Sequence, residues 1–158
     1  MKLAEALILR SDAQKRIQQL RERLARSARI QEGEQPPENP QELLDELERV
    51  MVDFVTLVKQ INRTNAQTAF NDEMTLTDAL AERDGLGMER NVLAGVIEAA
   101  TGSGNAYNPY AYLQRGEIKT LRAINVADIQ KRIDNLSRQY RELDTQIQAL
   151  NWQVDVVE

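Results

Sequence analysis

Residues 126–150 read VADIQKRIDNLSRQYRELDTQIQAL, and this stretch decides the fold of the chain. Eight of its side chains follow one another at alternating spacings of three and four: Val126, Ile129, Ile133, Leu136, Tyr140, Leu143, Ile147 and Leu150. This heptad pattern places all eight on one stripe of a helix about 37 Å long, at 1.5 Å per residue. Because such a stripe is unfavourable in water, the pattern predicts partner helices of similar length.

Three other segments carry helical patterns of matching length. We predict four helices in all, near residues 3–30, 40–68, 76–101 and 126–151. They belong to one domain that spans residues 1–158. The sequence therefore favours an all-α fold, an elongated antiparallel four-helix bundle of the coiled-coil type. One short extended segment near residues 118–124 is compatible with this architecture.

The first helix has one residue on its apolar stripe that does not suit a core. The stripe consists of Leu3, Ala6, Arg10, Ala13, Ile17, Leu20 and Leu24. Arg10 either extends its stem to the edge and keeps its guanidinium in water, or belongs to a deliberate polar layer.

The second helix has a wide apolar face. We predict that its stripe consists of Leu44, Leu47, Met51, Phe54, Val58 and Ile61, and that Leu43, Val50, Val55 and Leu57 widen it. A face of this width contacts more than one neighbour. Long amphipathic helices with spare apolar width usually associate, so we expect a homo-oligomer, a dimer or larger.

The third helix contains two unusual pairs of residues. Gly85 and Gly87 each cost about 1 kcal/mol relative to alanine, which predicts either a kink or the close approach of another backbone. Arg83 and Arg90 fall on the apolar stripe of the same helix. We regard the two arginines as secondary candidates for a site.

Two neighbouring segments carry opposite charges. Residues 1–29 hold eight Lys or Arg, whereas residues 32–58 hold eight Asp or Glu and a single Arg. A basic helix can bind phosphate or an anionic membrane. An antiparallel hairpin explains both runs more simply, because it places Arg21–Arg29 beside Glu42–Glu48, and we favour this interpretation.

The composition argues against several classes of function. The chain contains no histidine and no cysteine, which removes the commonest acid–base catalyst, the commonest transition-metal ligand and any disulfide. Its net charge of −5 argues against nucleic acid as a partner. No apolar run approaches the roughly 18 residues of a membrane span, and the N-terminus lacks the apolar region of a signal peptide. We expect a cytoplasmic protein with no membrane partner, no cofactor and no metal.

Residues 102–117 form a long irregular stretch that is rich in Gly and Tyr. The stretch lacks the Gly-Lys-Ser/Thr ending of a P-loop, and no predicted strand precedes it. We expect Tyr107, Tyr110 and Tyr112 to lay their rings over one end of the bundle. The alternative is that the three tyrosines form a binding surface.

Polar residues from four separate stretches meet at one end of an up-down-up-down bundle: Arg10, Asn62, Asn65, Asp78, Asn151 and Trp152. Counting outward from the predicted turns places Arg10 level with Ile61. A partly buried arginine must find hydrogen-bond acceptors, so we predict that Arg10 pairs with Asp78 and that the asparagines complete the network. This polar cluster either fixes the register of the helices, which we favour, or forms a ligand pocket.

Several short motifs resemble those of a family of small, uncharacterised bacterial helical proteins that is sometimes labelled septicolysin. They are MKLAEAL at residues 1–7, INRTN at 61–65, LTDAL at 76–80, and Asn151-Trp152. The resemblance covers nearly the whole chain and brings no established activity. The label would imply a thiol-activated, cholesterol-dependent pore-former, whereas this chain has no cysteine.

These observations together predict a non-enzymatic, homo-oligomeric structural or adaptor protein. No Ser or Cys nucleophile has a histidine base, and the di-iron pattern of helical bundles lacks its histidines. The alternative is a protein that binds a small ligand, a nucleotide or an anion at the polar cluster.

Overall fold

The computed structural model describes residues 1–102 and 119–158, which form an all-α fold. Its four helices are α1 (Leu3–Ser27), α2 (Pro40–Gln67), α3 (Leu76–Thr101) and α4 (Val126–Gln153). The predicted bounds of α2, α3 and α4 are confirmed to within two residues. Helix α1 ends three residues earlier than predicted.

The chain divides into two compact units. The first contains Met1–Thr77 and Gln148–Glu158, and the second contains Asp78–Ile147. Helix α4 contributes residues to both units. The prediction of one domain over the whole chain stays a prediction.

In the first unit, α1 and α2 form an antiparallel hairpin that is bridged by ion pairs. Arg16 Nε donates to Oε1 of Glu46 at 2.8 Å, and Arg23 Nε donates to Oε2 of Glu38 at 2.9 Å. These pairs confirm that opposite charges of the two segments meet, although among the described residues the predicted ranges Arg21–Arg29 and Glu42–Glu48 are joined only by Arg23 and Glu46, at 4.0 Å.

The connection between α1 and α2 contains a glycine in the left-handed region and a helix cap. Gly33 has a φ of +87°, which other residues rarely adopt. Asn39 Oδ1 accepts a hydrogen bond from the backbone N–H of Gln41 at 2.9 Å, and Pro40 occupies the first helical position. Cap and proline together fix the start of α2 at residue 40, where the second helix was predicted to begin.

Helix α2 has two apolar sides and buries one of them. The buried or partly buried side, which we name the inner seam, consists of Leu43, Leu47, Val50, Phe54, Leu57, Ile61 and Thr64. The predicted stripe was therefore wrong by one position at Leu44 and Met51, both of which are exposed. The physical reason is that heptad spacing alone does not decide which of two apolar sides meets the partner helix.

The segment that follows α4 pairs with the start of α1 in the first unit. An isolated antiparallel bridge joins Lys2 and Asp155, whose side chains also form an ion pair at 3.0 Å. The backbone N–H of Leu3 donates to the carbonyl oxygen of Val154 at 2.9 Å. The short acidic tail is thus tied to the first turn of α1.

In the second unit, α3 and α4 run antiparallel. Arg132 Nη2 pairs with Glu89 Oε1 at 3.2 Å, and other contacts between the two helices are described below. The predicted stripe of α4 is confirmed along its whole length, because each of its eight side chains is buried or partly buried. Leu136 and Ile147 are the most completely buried of them.

The short extended segment expected near residues 118–124 is not formed by residues 119–124, which contain no strand. Residue 118 lies outside the described residues. A single extended segment needs a neighbouring strand to pair with. In the described ranges the isolated bridges join Lys2 to Asp155 and Ala69 to Thr75 instead.

Candidate functional site

The second apolar side of α2 lies on the surface. This side, which we name the outer stripe, consists of Leu44, Met51, Val55 and Val58. Leu44 is 48% exposed, Met51 38% and Val55 41%, whereas Leu43 on the inner seam is only 3% exposed. Val58 is partly buried. Because α1 packs against the inner seam, the outer stripe is a line of apolar side chains that α1 does not cover.

Charged residues beside the outer stripe change sign along the helix. Asp45 and Glu48 lie toward its N-terminal end, and Lys59 and Arg63 lie toward its C-terminal end; all four are exposed. Neither Glu48 nor Lys59 forms an ion pair among the described residues. The outer stripe therefore has an acidic end and a basic end.

An open groove of about 560 Å³ lies between α1 and α2. Its apolar lining residues are Leu9, Ala13, Val50 and Leu57, and its polar ones are Asp12, Arg16, Asp53, Thr56 and Gln60. The single basic group is already paired with Glu46. The groove is thus an apolar depression with a largely acidic and neutral rim, and it offers no unpaired cation to an anionic ligand.

The residues of the predicted polar cluster differ widely in their burial. Asn151 is buried, Arg10 and Asn65 are partly buried, and the remaining three are exposed: Asn62, Asp78 and Trp152. Arg10 belongs to the first unit and Asp78 to the second, so the predicted pair of these two residues stays a prediction. The assembly of the six residues into one site stays a prediction as well.

Arg10 has an unusual environment within the first unit. Its Nε is buried and has no hydrogen-bond partner among the described residues. Because α1 ends at Ser27 rather than near Ile30, the hairpin register shifts by almost one helical turn, which places Arg10 near the level of Leu57 instead of Ile61. The buried Nε makes this residue the best-supported member of the polar cluster.

Thr64 is a structurally important residue that the sequence reasoning missed. It is fully buried at the end of the inner seam. Its Oγ1 donates to the carbonyl oxygen of Gln60 at 2.8 Å and accepts from the backbone N–H of Val157 at 3.0 Å. The available signal was its spacing, since Thr64 follows Ile61 by three residues on the same seam. Its partner in the tail could not be inferred from local sequence.

The secondary candidates Arg83 and Arg90 are both engaged within the second unit. Arg83 Nη1 donates to Oδ1 of Asp144 at 2.9 Å, and its guanidinium also contacts Asp84. Burial alone would lower the pKa of Arg83, but the hydrogen bonds to the two carboxylates outweigh it, and the net shift of this pKa is upward. Arg90 lies over the ring of Tyr140, with 5.2 Å between its Cζ and the ring centroid.

The packing around Gly87 explains one member of the Gly85 and Gly87 pair on α3. A Cβ at this position would lie 3.3 Å from Cε2 of Tyr140, whereas a Cβ at Gly85 would meet open space. The predicted close approach is therefore made at Gly87 by an aromatic ring rather than by a backbone. Tyr140 contacts both Gly87 and Arg90, so the polar positions of α3 serve packing within this unit.

Several functional predictions concern other kinds of site. Tyr107, Tyr110 and Tyr112 lie outside the described residues. Within residues 1–102 and 119–158, no group of three or more Asp or Glu side chains is arranged to hold a metal ion. None of the four helices described has a stretch both long and apolar enough to traverse a lipid bilayer.

Comparison with known proteins identifies a solved structure of the same fold and a matching protein family. A crystal structure of a functionally unknown conserved protein from Corynebacterium diphtheriae is similar to this chain, with a TM-score of 0.88, 41% sequence identity and 99% of each chain covered. No curated protein matches the chain. These findings neither support nor contradict the septicolysin label. The model of the Family of unknown function (DUF6847) matches residues 10–156, and the chain belongs to that family.

Proposed function

We propose that this protein is a non-enzymatic structural or adaptor protein that works as a homo-oligomer, a dimer or a larger assembly. The outer stripe of α2 is the observation that carries the proposal. Leu44, Met51 and Val55 are exposed along one side of α2 over about three turns, and Glu48 lies on the turn between Leu44 and Met51. A line of exposed apolar side chains with charged residues beside it commonly marks an interface.

The hairpin itself supports this interpretation. The inner seam of α2 already gives α1 a complete heptad partner, so the fold of the hairpin does not require the outer stripe. Apolar side chains that the fold does not require cost solubility when they stay in water. A second protein surface that covers them removes this cost.

The chemistry of the described residues supports a non-enzymatic role. The chain has neither histidine nor cysteine, and the polar positions that were candidates on α3 form structural pairs. Arg83 is held by Asp144, and Arg90 is held by the ring of Tyr140. Neither arginine is left free to polarise a substrate.

The mass of the full chain in solution tests the proposal. Light scattering at micromolar concentration is expected to give at least twice the chain mass of 18.0 kDa. Dilution should shift the mass toward the single chain, because self-association follows mass action. A mass that stays near 18.0 kDa up to high micromolar concentration would refute the proposal.

A second candidate function is the binding of a small anionic ligand at the polar cluster. The buried Nε of Arg10, which has no hydrogen-bond partner within residues 1–102 and 119–158, is the observation that favours it. An unpaired buried donor costs stability, and an anion that reaches it recovers that cost.

A thermal-shift screen against phosphate, nucleotides and dicarboxylates tests this second candidate. A ligand of this kind should raise the melting temperature of the natural chain and leave that of Arg10→Met unchanged. If no compound class shifts the natural chain, ligand binding at Arg10 is excluded at the concentrations used. A higher melting temperature for Arg10→Met alone would then mark Arg10 as a residue that only costs stability.

A further inference from the structure

The charges beside the outer stripe suggest which partner covers it. Asp45 and Glu48 lie at one end of the stripe, and Lys59 lies at the other. Such a surface is complementary to a copy of itself turned end to end, because each acidic end then meets a basic end. A parallel copy would instead place like charges together, which is unfavourable.

We propose that the outer stripe of α2 binds the outer stripe of a second copy, antiparallel, about a two-fold axis near Met51. This inference rests on the proposed function and names the surface that mediates it. Leu44 of one copy then lies against Val58 of the other, and Asp45 of one copy lies beside Lys59 of the other. The same contacts occur twice, as a two-fold interface requires.

The residue at the proposed axis fits this arrangement. A residue on a two-fold axis meets its own copy, so its side chain must pack against an identical one. Methionine is unbranched and adaptable, and it fills an irregular gap between two identical surfaces more easily than a β-branched residue does. Leu44 and Val58 lie seven residues from Met51 in opposite directions, and Val55, the remaining member of the stripe, lies between Met51 and Val58. Leu44 and Val58 give the stripe apolar ends at equal distances from the axis.

The second copy is favoured over an unrelated protein partner by this symmetry. The order acidic, apolar, basic holds for Asp45, Glu48 and Lys59, which lie within about 100° of the stripe around the helix, whereas the exposed Arg49 lies farther round. Helix α1 is not available to cover the outer stripe, because it packs on the inner seam and its basic residues pair with Glu38 and Glu46.

Cysteine cross-linking tests the proposed geometry, and the absence of natural cysteines makes the test clean. A disulfide needs Cα atoms about 4.4–6.8 Å apart. Met51→Cys lies near the axis and should cross-link to its own copy. Leu44→Cys alone should not cross-link, because the same position of the other copy lies two turns of helix beyond the axis, about four turns away in total. An equimolar mixture of Leu44→Cys and Val58→Cys should cross-link across the two chains.

The outcomes separate this inference from the proposed function. Self-cross-linking of Leu44→Cys as efficient as that of Met51→Cys would indicate a parallel arrangement and would overturn the inference. A dimeric mass with no cross-link at any of the three positions would place the interface elsewhere, so the inference fails while the proposed function stands. A monomeric mass would refute both the inference and the proposed function.

Charge exchange gives an independent test of the same geometry. Asp45→Lys and Lys59→Asp should each raise the dimer Kd about tenfold, since each change replaces two symmetric attractions by two repulsions. The double variant Asp45→Lys/Lys59→Asp should recover the natural Kd. The control Lys15→Asp changes the net charge by the same amount as Lys59→Asp on an exposed site of α1, and it should leave the Kd unchanged. Failure of the double variant to recover, with a normal control, would overturn the antiparallel pairing.

Discussion

Helices α2 and α4 have the same length but distribute their apolar residues differently. Helix α4 carries one apolar stripe, and every member of that stripe is buried or partly buried. Helix α2 carries two apolar sides, and it buries the inner seam while it exposes most of the outer stripe. A helix with one stripe needs one set of neighbours, whereas a helix with two sides has surface left over after its hairpin has formed.

The surplus on α2 is also longer than the exposed apolar pair on α3, whose two members lie one turn apart. Met88 and Val92 on α3 are exposed, but the stripe of that helix passes through other positions. The outer stripe combines heptad-like spacing with charges that change sign from one end to the other. Spacing and charge order together indicate a contact surface rather than a scatter of exposed side chains.

Neighbouring leucines on the two sides of α2 give the largest expected contrast. Leu43→Ala should lower the free energy of unfolding by about 2–5 kcal/mol, because it leaves a cavity on the inner seam. Leu44→Ala should lower the free energy of unfolding of the dissociated chain by less than about 1 kcal/mol. Urea unfolding at low protein concentration, where assembly does not contribute, measures both. Equal losses would mean that the two sides of α2 are not distinguished by burial.

The end of the inner seam can be probed through a single hydroxyl. Thr64→Val keeps the shape of the side chain but leaves the N–H of Val157 without its acceptor, which should cost about 1–3 kcal/mol in unfolding free energy. Thr64→Ser keeps the hydroxyl and serves as the control for loss of the hydrogen bond. Faster amide exchange at Val157 should appear in Thr64→Val and not in Thr64→Ser. Equal exchange in both variants would show that the hydroxyl does not hold the tail.

Asp144 lies beside the apolar stripe of α4, and a double-mutant cycle can measure the energy of its ion pair with Arg83. Arg83→Met and Asp144→Asn should show a coupling energy of about 1 kcal/mol, because their pair is partly buried. The exposed pair of Arg132 and Glu89 provides the comparison, with a coupling of about 0.5 kcal/mol or less. Denaturant unfolding of the four chains in each cycle supplies both values. A larger coupling for the exposed pair would contradict the packing described for the second unit.

The smallest expected effect concerns the ion pair of Arg23 and Glu38, which helps to hold α1 against the inner seam and away from the outer stripe. The hydrogen bond from Arg23 lowers the pKa of Glu38 below its ordinary value of 4.5. The ion pair therefore stabilises the hairpin above pH 4.5, and this stabilisation is lost as the pH falls through the lowered pKa. Titration of Glu38 by NMR should show the lowered pKa in the natural chain and its return toward the ordinary value in Arg23→Gln. An unchanged pKa in Arg23→Gln would place the two side chains apart.

The sequence predicted the helices well because their signals are local. Asn39 and Pro40 determine the start of α2, and the heptad spacing of α4 determines which side of that helix is buried. The choice between the two sides of α2 was not predictable from spacing, because both sides satisfy the same pattern. Leu43 and Leu44 differ only in what packs against them.

The contacts of the candidate site were less predictable because most of them are long-range. The tail pairs with the start of α1 and with Thr64, and no local pattern in either segment specifies its partner. The residue of α2 that lies opposite Arg10 depends on where α1 ends. An error of three residues in that end, which is at Ser27, moves the position opposite Arg10 by almost one helical turn. Arg83 and Arg90 were placed correctly on their stripe, whereas their partners Asp144 and Tyr140 became evident only in the fold.

The most direct test of the central claim compares two methionines that are both exposed on helices of this chain. Met51 lies on the outer stripe of α2, and Met88 lies on α3 and is 70% exposed. Sedimentation equilibrium should give the natural chain and Met88→Glu at least twice the chain mass, and Met51→Glu a mass near 18.0 kDa. Equal masses for Met51→Glu and Met88→Glu would contradict the assignment of the outer stripe as the surface of self-association.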